Sequence, residues 1–262
     1  MEIRDAVVIV TGASEGLGEA SARLFTSQGA RVALVARSRD KLNQIARELS
    51  GSFAIPVDLR DPTAIAQMVA VVQDHYGRID LLINNAGQGM HGFLEQVELA
   101  QYRSLMDLNL FAPLLTMQAV IPIMRKQGGG MILNVSAPLA RMPFIPSLGA
   151  YGSTKAALTL ITLTARAELA ADNIRVGVVY PGMMATDMNR HLLPASTVQQ
   201  AAVAWEAGGE LPAGAPQREA PAVVAASILE AVQEEKAEQY TQGFLAMAAW
   251  ASGGWSNEPF SF

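Results

Sequence analysis

The feature that most constrains this chain is a set of short, mostly apolar runs that lack polar alternation. They occupy 6–10, 31–35, 52–57, 81–83, 131–135 and 175–179. A strand with one wet face alternates apolar and polar residues, so a run that does not alternate is dry on both sides and needs cover above and below. The segments between the runs, 18–28, 41–48, 62–76 and 101–126, have helical patterning and are long enough to give that cover. This rhythm predicts an α/β chain, with a doubly wound parallel sheet and helices on both faces. No internal repeat or linker interrupts it, so 1–262 reads as a single domain.

Composition narrows the reading. Only 16% of the 262 residues are charged and 50% are hydrophobic, while soluble domains average about 25% charged. Three readings fit: a membrane protein, a large apolar pocket, or extensive subunit contacts. A spanning helix needs roughly 18 consecutive apolar residues, and no uninterrupted run of that length is present. The start, Met1-Glu2-Ile3-Arg4-Asp5, is charged, and the apolar run after it is too short for a signal peptide. The expectation is a cytoplasmic protein with no integral membrane association. The absence of cysteine excludes a disulfide scaffold or thiolate metal site, and a net charge of −5 argues against a nucleic-acid partner. His75, His91 and His191 are scattered without paired spacing, so no metal site is expected.

After about residue 187 the texture changes. Pro194, Pro212, Pro216, Pro221 and the pair Gly208-Gly209 punctuate 187–221, which reads as a substrate lid or loop region. A helical stretch, 222–238, follows, and then an apolar tail, 244–262, carrying Trp250, Trp255, Phe260 and Phe262.

The first apolar run leads into Thr11-Gly12-Ala13-Ser14-Glu15-Gly16-Leu17-Gly18 and then a helix. Gly12 permits a tight turn off the strand, Gly16 lets the backbone approach a pyrophosphate, and Gly18 allows close helix–strand packing. The helix N-terminus offers free N–H groups to phosphates. In this Rossmann-like arrangement, Gly12, Ser14, Glu15, Gly16, Leu17 and Gly18 form the phosphate-binding turn. An acidic residue about 20 positions on usually binds the ribose 2′-hydroxyl. Here the second run ends Ala36-Arg37-Ser38, with no carboxylate before Asp40. Arg37 suits a 2′-phosphate, which favours NADP(H) over NAD(H), although Glu15 adds a negative charge to the turn and Arg37 also fits a solvated surface. Asp58, followed by Leu59, stands where a carboxylate can accept the adenine amino group; an ordinary strand-end aspartate fits as well. Asn84-Asn85-Ala86-Gly87 is poor strand material, and reads as a bracket holding a strand end against a ligand.

Tyr151 and Lys155, four apart at the start of a helical run, share one face. A free phenol has a pKa of about 10, and a neighbouring ammonium lowers it, making tyrosine usable as an acid or base near neutrality.

Taken together, the glycine turn, Asn84-Asn85-Ala86-Gly87, Tyr151-x-x-x-Lys155 and Pro181-Gly182…Thr186 stand in order over residues 5–190, and the chain resembles the short-chain dehydrogenase/reductase family. The resemblance implies NAD(P)-dependent interconversion of a carbonyl and an alcohol. It implies that Tyr151 donates the proton and that Lys155 holds the nicotinamide ribose and lowers the tyrosine pKa. Asn109 would help hold a water in a proton relay, Asp58 would contact adenine, and Asn85, Ala86 and Gly87 would line the adenosine and ribose. Pro181, Gly182, Met184 and Thr186 would cover the nicotinamide.

One departure stands out. The family has two serines after its fifth strand, the second polarising the substrate carbonyl, whereas this chain reads Asn134-Val135-Ser136-Ala137. Three accounts stay open: Ser136 shifts into the role, a water or another hydroxyl such as Ser147 substitutes, or the chain binds cofactor with impaired turnover as a regulatory or scaffold protein. An epimerase or lyase on the same fold is a further alternative. Met90, Phe93, Met142, Phe144, Ile145, Met183, Met184, Met188, Leu192 and Leu193 would give the pocket an apolar wall, suited to a small hydrophobic carbonyl or alcohol. His91 and His191 would flank it. By the resemblance, helices over 101–126 and 151–171 pair across a two-fold axis, giving a homodimer or homotetramer. The tail is expected to lack the family's closing strand.

Overall fold

The structure, a computed structural model, describes residues 1–142, 147–184 and 216–254, with side chains through Ala249. The apolar runs become parallel strands: β1 (Val7–Thr11), β2 (Arg31–Ala36), β3 (Phe53–Pro56), β4 (Leu81–Asn84), β5 (Gly130–Val135) and β6 (Ile174–Tyr180). A seventh strand, β7 (Glu238–Tyr240), completes the order β3-β2-β1-β4-β5-β6-β7. β1 pairs with both β2 and β4, so the winding direction reverses between β1 and β4. That reversal opens a crevice at the carboxyl ends of these strands, where open α/β sheets bind ligands.

The helices are α1 (Gly16–Ser27), α2 (Arg39–Glu48), α3 (Pro62–Tyr76), α4 (Leu99–Met106), α5 (Ala112–Lys126), α6 (Gly149–Glu168), α7 (Pro221–Gln233) and α8 (Gln242–Gly254). The start of α3 shows how local chemistry sets a boundary: the Asp61 carboxylate accepts from the N–H groups of Thr63 and Ala64, and Pro62 takes the first turn. Gly77, at φ +78°, ends the helix in the left-handed conformation.

Successive strand residues point to opposite faces, and each face has its own core. Val8, Val10, Leu34 and Leu133 pack with α1, α2 and α7, whereas Val7, Ile9, Val35 and Ile132 pack with α3 and α5. This two-sided burial is the reason the runs do not alternate.

Three sequence expectations are corrected. The helix expected over 222–238 ends at Gln233, and Glu238–Tyr240 forms the closing strand expected to be missing. A three-residue polar edge strand carries no apolar signal; its polarity suits an edge. The helix expected over 101–126 is two helices joined by a π turn, Asp107–Phe111. That compound helix, Leu99–Lys126, also contains an 18-residue window of mean hydropathy 1.3, long and apolar enough by composition to cross a membrane. The sequence reading missed it by seeking an uninterrupted run. In the fold, Leu105, Met117, Val120 and Met124 of this helix are buried in the cores.

A polar cluster lies inside this apolar packing. Asn84 and Asn134 are register neighbours on β4 and β5, both buried. Asn84 Nδ2 donates to Asn134 Oδ1 at 2.9 Å, and Thr116 Oγ1 of α5 donates to Asn84 Oδ1 at 2.8 Å. Asn134 Nδ2 donates to Thr162 Oγ1 of α6 at 2.8 Å. Asn84 and Asn134 together therefore tie the sheet to two helices, and the Asn84 side chain is occupied inside the fold rather than in a ligand bracket. Because an unpaired buried amide retains its desolvation cost, Asn134→Ala should destabilise the fold by about 2–3 kcal/mol, measured by urea unfolding followed by circular dichroism.

Candidate active site

The crevice between the ends of β1 and β4 is a continuous cleft. At one end it is lined by Gly12, Ser14, Glu15, Gly16 and Leu17 of the glycine turn, with Arg37, Ser38 and Lys41 beside them. Asp58, Leu59, Asn85, Ala86 and Gly87 form the middle, and Ser136, Tyr151, Lys155 and Met184 the far end.

The turn is held open by close backbone packing. Gly12 has φ +68° and Gly16 φ +57°, conformations that favour glycine. A Cβ on Gly18 would fall 2.6 Å from the Gly12 carbonyl carbon and 2.7 Å from Asn85 Nδ2. Gly18 is thus a packing glycine, buried behind the cleft. Thr11 locks the neighbouring strand: its hydroxyl accepts the N–H groups of Asn85 (2.9 Å) and Ala86 (3.0 Å), and its carbonyl accepts Asn85 Nδ2 at 2.9 Å. No side chain caps the N-terminus of α1, so its first-turn amides stay available beside Gly16 and Leu17.

Arg37 is exposed and makes no ion pair among the described residues, whereas Lys41 Nζ pairs with the Glu15 carboxylate at 2.6 Å. The negative charge noted in the turn is therefore partnered by a lysine that the sequence reading missed; it sits four residues after Arg37 in the first turn of α2. Asp58 faces Arg60, whose guanidinium reaches Gln88 Oε1 at 2.7 Å. Ser38, Val57, Gln88, Leu108 and Val135 also line the cleft without having been singled out by sequence. Their backbone positions follow from topology, and their residue types carry no signal.

Tyr151 and Lys155 rise from the first turns of α6 on one face, both buried against the cleft. Lys155 Nζ donates to the Val135 carbonyl at 2.9 Å. Full burial pushes its ammonium down to about 8, so it remains mostly protonated at pH 7. Asn109, in the π turn, lies behind Gly87 and does not line the cleft. Its Oδ1 accepts Gln88 N–H and its Nδ2 donates to the Gln88 carbonyl, both at 2.9 Å, with Thr154 Oγ1 3.1 Å away. Its side chain thus clamps the segment after β4.

Ser136 lines the far end, but its hydroxyl is bonded to α6: to the Lys155 carbonyl at 3.1 Å and to Thr159 Oγ1 at 3.0 Å. Ala137 lies in an apolar cluster with Met90, Leu105, Leu148, Ala150 and Tyr151. A methyl group therefore packs in the cluster that contains the candidate acid. Ser147, at φ +69°, is buried and does not line the cleft. Pro181 and Gly182 stand behind Met184, and Thr186 lies outside the described residues, as do Phe144, Ile145, Met188, His191, Leu192 and Leu193. Met142 packs beside Tyr180 and Phe244, away from Met90.

The sequence profile of the short chain dehydrogenases matches residues 6–196. The chain belongs to this family. An uncharacterised oxidoreductase of Staphylococcus epidermidis is 35% identical over 188 residues, covering 71% of this chain and 81% of its own. Dehydrogenase/reductase SDR family member 7B of Mus musculus is 31% identical and covers 94% of this chain and 76% of its own. Among solved structures, a short-chain dehydrogenase from Streptomyces avermitilis superposes with a TM-score of 0.81 at 27% identity, covering 95% of this chain and 92% of its own. One from Burkholderia cenocepacia, in complex with NADP, gives 0.77 at 29% identity, with 97% and 95% covered. The Rossmann-like sheet is therefore that of a short-chain dehydrogenase, an NAD(P)-binding oxidoreductase family.

The residues fit a dinucleotide. The two left-handed glycines make a cradle that side chains would strain, uncapped helix amides face it, and Arg37 supplies positive charge.

Burying Lys155 has a consequence for pH. The unfolded lysine holds its proton to about pH 10.4, whereas the native one releases it near 8. Between those values the unfolded chain binds more protons, so native stability rises with pH across that window. Lys155→Met should raise the stability of the ligand-free protein at pH 7 by up to about 3 kcal/mol. The advantage should shrink above pH 8 and vanish near pH 10.5. Urea midpoints of both proteins across that range check it, and a pH-independent gap would contradict a burial origin.

Proposed function

We propose that this short-chain dehydrogenase interconverts a ketone or aldehyde with its alcohol, using NADP(H) in preference to NAD(H). The observation that carries this reading is one cleft with a phosphate cradle and Arg37 at one end and the buried Tyr151–Lys155 pair at the other. Two solved relatives, the Burkholderia cenocepacia enzyme with NADP and an L-sorbose reductase from Gluconobacter frateurii complexed with NADPH, support the cofactor choice.

When bound, the nicotinamide would supply hydride to the carbonyl carbon in reduction and accept it from the alcohol carbon in oxidation. Tyr151 gives its phenolic proton to the carbonyl oxygen in reduction and takes it back in oxidation. Lys155 stabilises the resulting phenolate through its charge and would hold the nicotinamide ribose. Asn109 holds the Gln88 backbone and the Thr154 hydroxyl, and so fixes the segment after β4 against the helix that carries Tyr151. Met184, an apolar side chain at the far end of the cleft, supports a small hydrophobic carbonyl or alcohol as substrate. Exposed Phe111 and Leu160, on the helices that would pair across a two-fold axis, support a homodimer or homotetramer. The assignment extends to a cytoplasmic enzyme.

The experiment is a consumption screen of NADPH and NADH against ketones, aldehydes and alcohols. NADPH should turn over faster than NADH, and Tyr151→Phe should abolish nearly all turnover while retaining NADPH binding by fluorescence. Undiminished turnover in Tyr151→Phe would overturn the mechanism, and steady substrate conversion without net NADPH consumption would favour an epimerase or lyase.

A second reading rests on Ala137 and on the Ser136 hydroxyl bonded into α6: a cofactor-binding regulatory or scaffold protein with weak turnover. Loss of one oxyanion-type donor costs about 10²–10³ in rate. Ala137→Ser should restore part of that factor in kcat if the site has decayed. A fall in kcat would mark a site built around the methyl group.

A further inference from the structure

Gly182 follows the end of β6 behind the chemistry end of the cleft, two residues before Met184, which lines it. Its N–H is held from both sides. Glu219 Oε2 accepts it at 3.1 Å and Thr241 Oγ1 at 3.0 Å, while the Thr241 hydroxyl donates to the same Glu219 oxygen at 2.7 Å. Thr241 is buried, and its hydroxyl also accepts the N–H of Phe244 in α8. Glu219 is fixed in turn by its own backbone, since its N–H donates to the Met183 carbonyl at 2.7 Å and it forms a parallel bridge with Met184.

The packing leaves no slack. A Cβ on Gly182 would lie 2.6 Å from the Gly243 Cα, and one on Gly243 would lie 2.7 Å from Glu219 Cγ. The two backbones and the Glu219 side chain therefore meet in direct contact. Glu219 Oε1 is buried with no hydrogen-bond partner among the described residues. The other oxygen, Oε2, accepts both the Gly182 N–H and the Thr241 hydroxyl. What that oxygen organises is the position of the Pro181–Met184 segment.

We infer that Glu219 is a positioning residue for the dehydrogenase reaction: by holding Gly182 it sets the Pro181–Met184 wall and hence the seat of the nicotinamide half of the cofactor. The inference rests on the dinucleotide reading of the cleft given above. It differs from a general structural role in being confined to one end, because among the described residues every Glu219 partner lies on the Met184 side and none belongs to the glycine turn or to Arg37.

The test separates the two halves of the ligand, with 2′,5′-ADP probing the phosphate end alone and NADPH probing both. Glu219→Ala should raise the KM for NADPH by about tenfold, the effect of one charge-assisted hydrogen bond, and should lower kcat as the nicotinamide loses its fixed orientation. Inhibition by 2′,5′-ADP should stay within about twofold of wild type, since its contacts lie elsewhere. Glu219→Gln, whose amide oxygen accepts the same two donors, should recover most of the KM and kcat. Should Glu219→Ala fail to fold, Thr241→Val removes the neighbouring support with little change of volume and should show the same split. Equal weakening of both ligands, no effect on NADPH, or a Glu219→Gln variant as impaired as Glu219→Ala would overturn the inference. A wild-type protein that binds neither NADPH nor 2′,5′-ADP would overturn the dinucleotide reading first, and this inference with it.

Discussion

The contact on which the rest of the cleft depends is the one between the end of β1 and the start of α1, where no side chain fits. Gly18 presses its Cα against the Gly12 carbonyl and the Asn85 side chain. Only that approach brings the first helix turn and the end of β4 to the same point, and Thr11 then fastens β4 with one hydroxyl that meets two N–H groups. A Cβ at position 18 would push α1 off the strand, and the phosphate cradle, the bracket after β4 and the alignment of Gly87 would shift together. The dinucleotide end is therefore a consequence of backbone packing more than of any charged group.

The chemistry end is built on a different principle. A cation is kept in a dry place by its neighbours: Lys155 is buried, with the Val135 carbonyl as its hydrogen-bond partner, and burial alone pushes its pKa down. The surrounding polar groups are satisfied by one another, Ser136 by α6 and Asn109 by Gln88 and Thr154. This satisfaction fixes the walls of the site, and it also occupies the hydroxyl nearest the position where the family places its second serine.

Much of this was legible in the sequence for a physical reason. Strands dry on both faces write their burial into every residue, so β1, β2, β4, β5 and β6 could be read within a residue or two, and the glycine turn and Tyr151–Lys155 stand at their ends. The unreadable parts depend on partners distant in sequence. β7 is three polar residues whose only cue is the free edge of β6. Glu219 and Thr241 matter through a backbone N–H, and Asn84 looked like a ligand bracket until its partners Asn134 and Thr116 came from other elements. Lys41 became relevant once the fold set it against Glu15.

The π turn at Asp107–Phe111 works as a rotational phase shift. Each residue of an α-helix turns it by about 100°, and one extra residue in the ladder offsets everything before it relative to everything after it. Upstream, α4 aims Leu105 into the cluster around Tyr151 and brings the Tyr102 hydroxyl within 2.7 Å of Ser153. Downstream, α5 aims Met117 and Val120 into the core beneath the sheet. One helix thereby serves two clients whose directions an unbroken ladder could not reconcile. Deleting one residue of the turn would restore the ladder and swing Tyr102 and Leu105 away from the active-site helix.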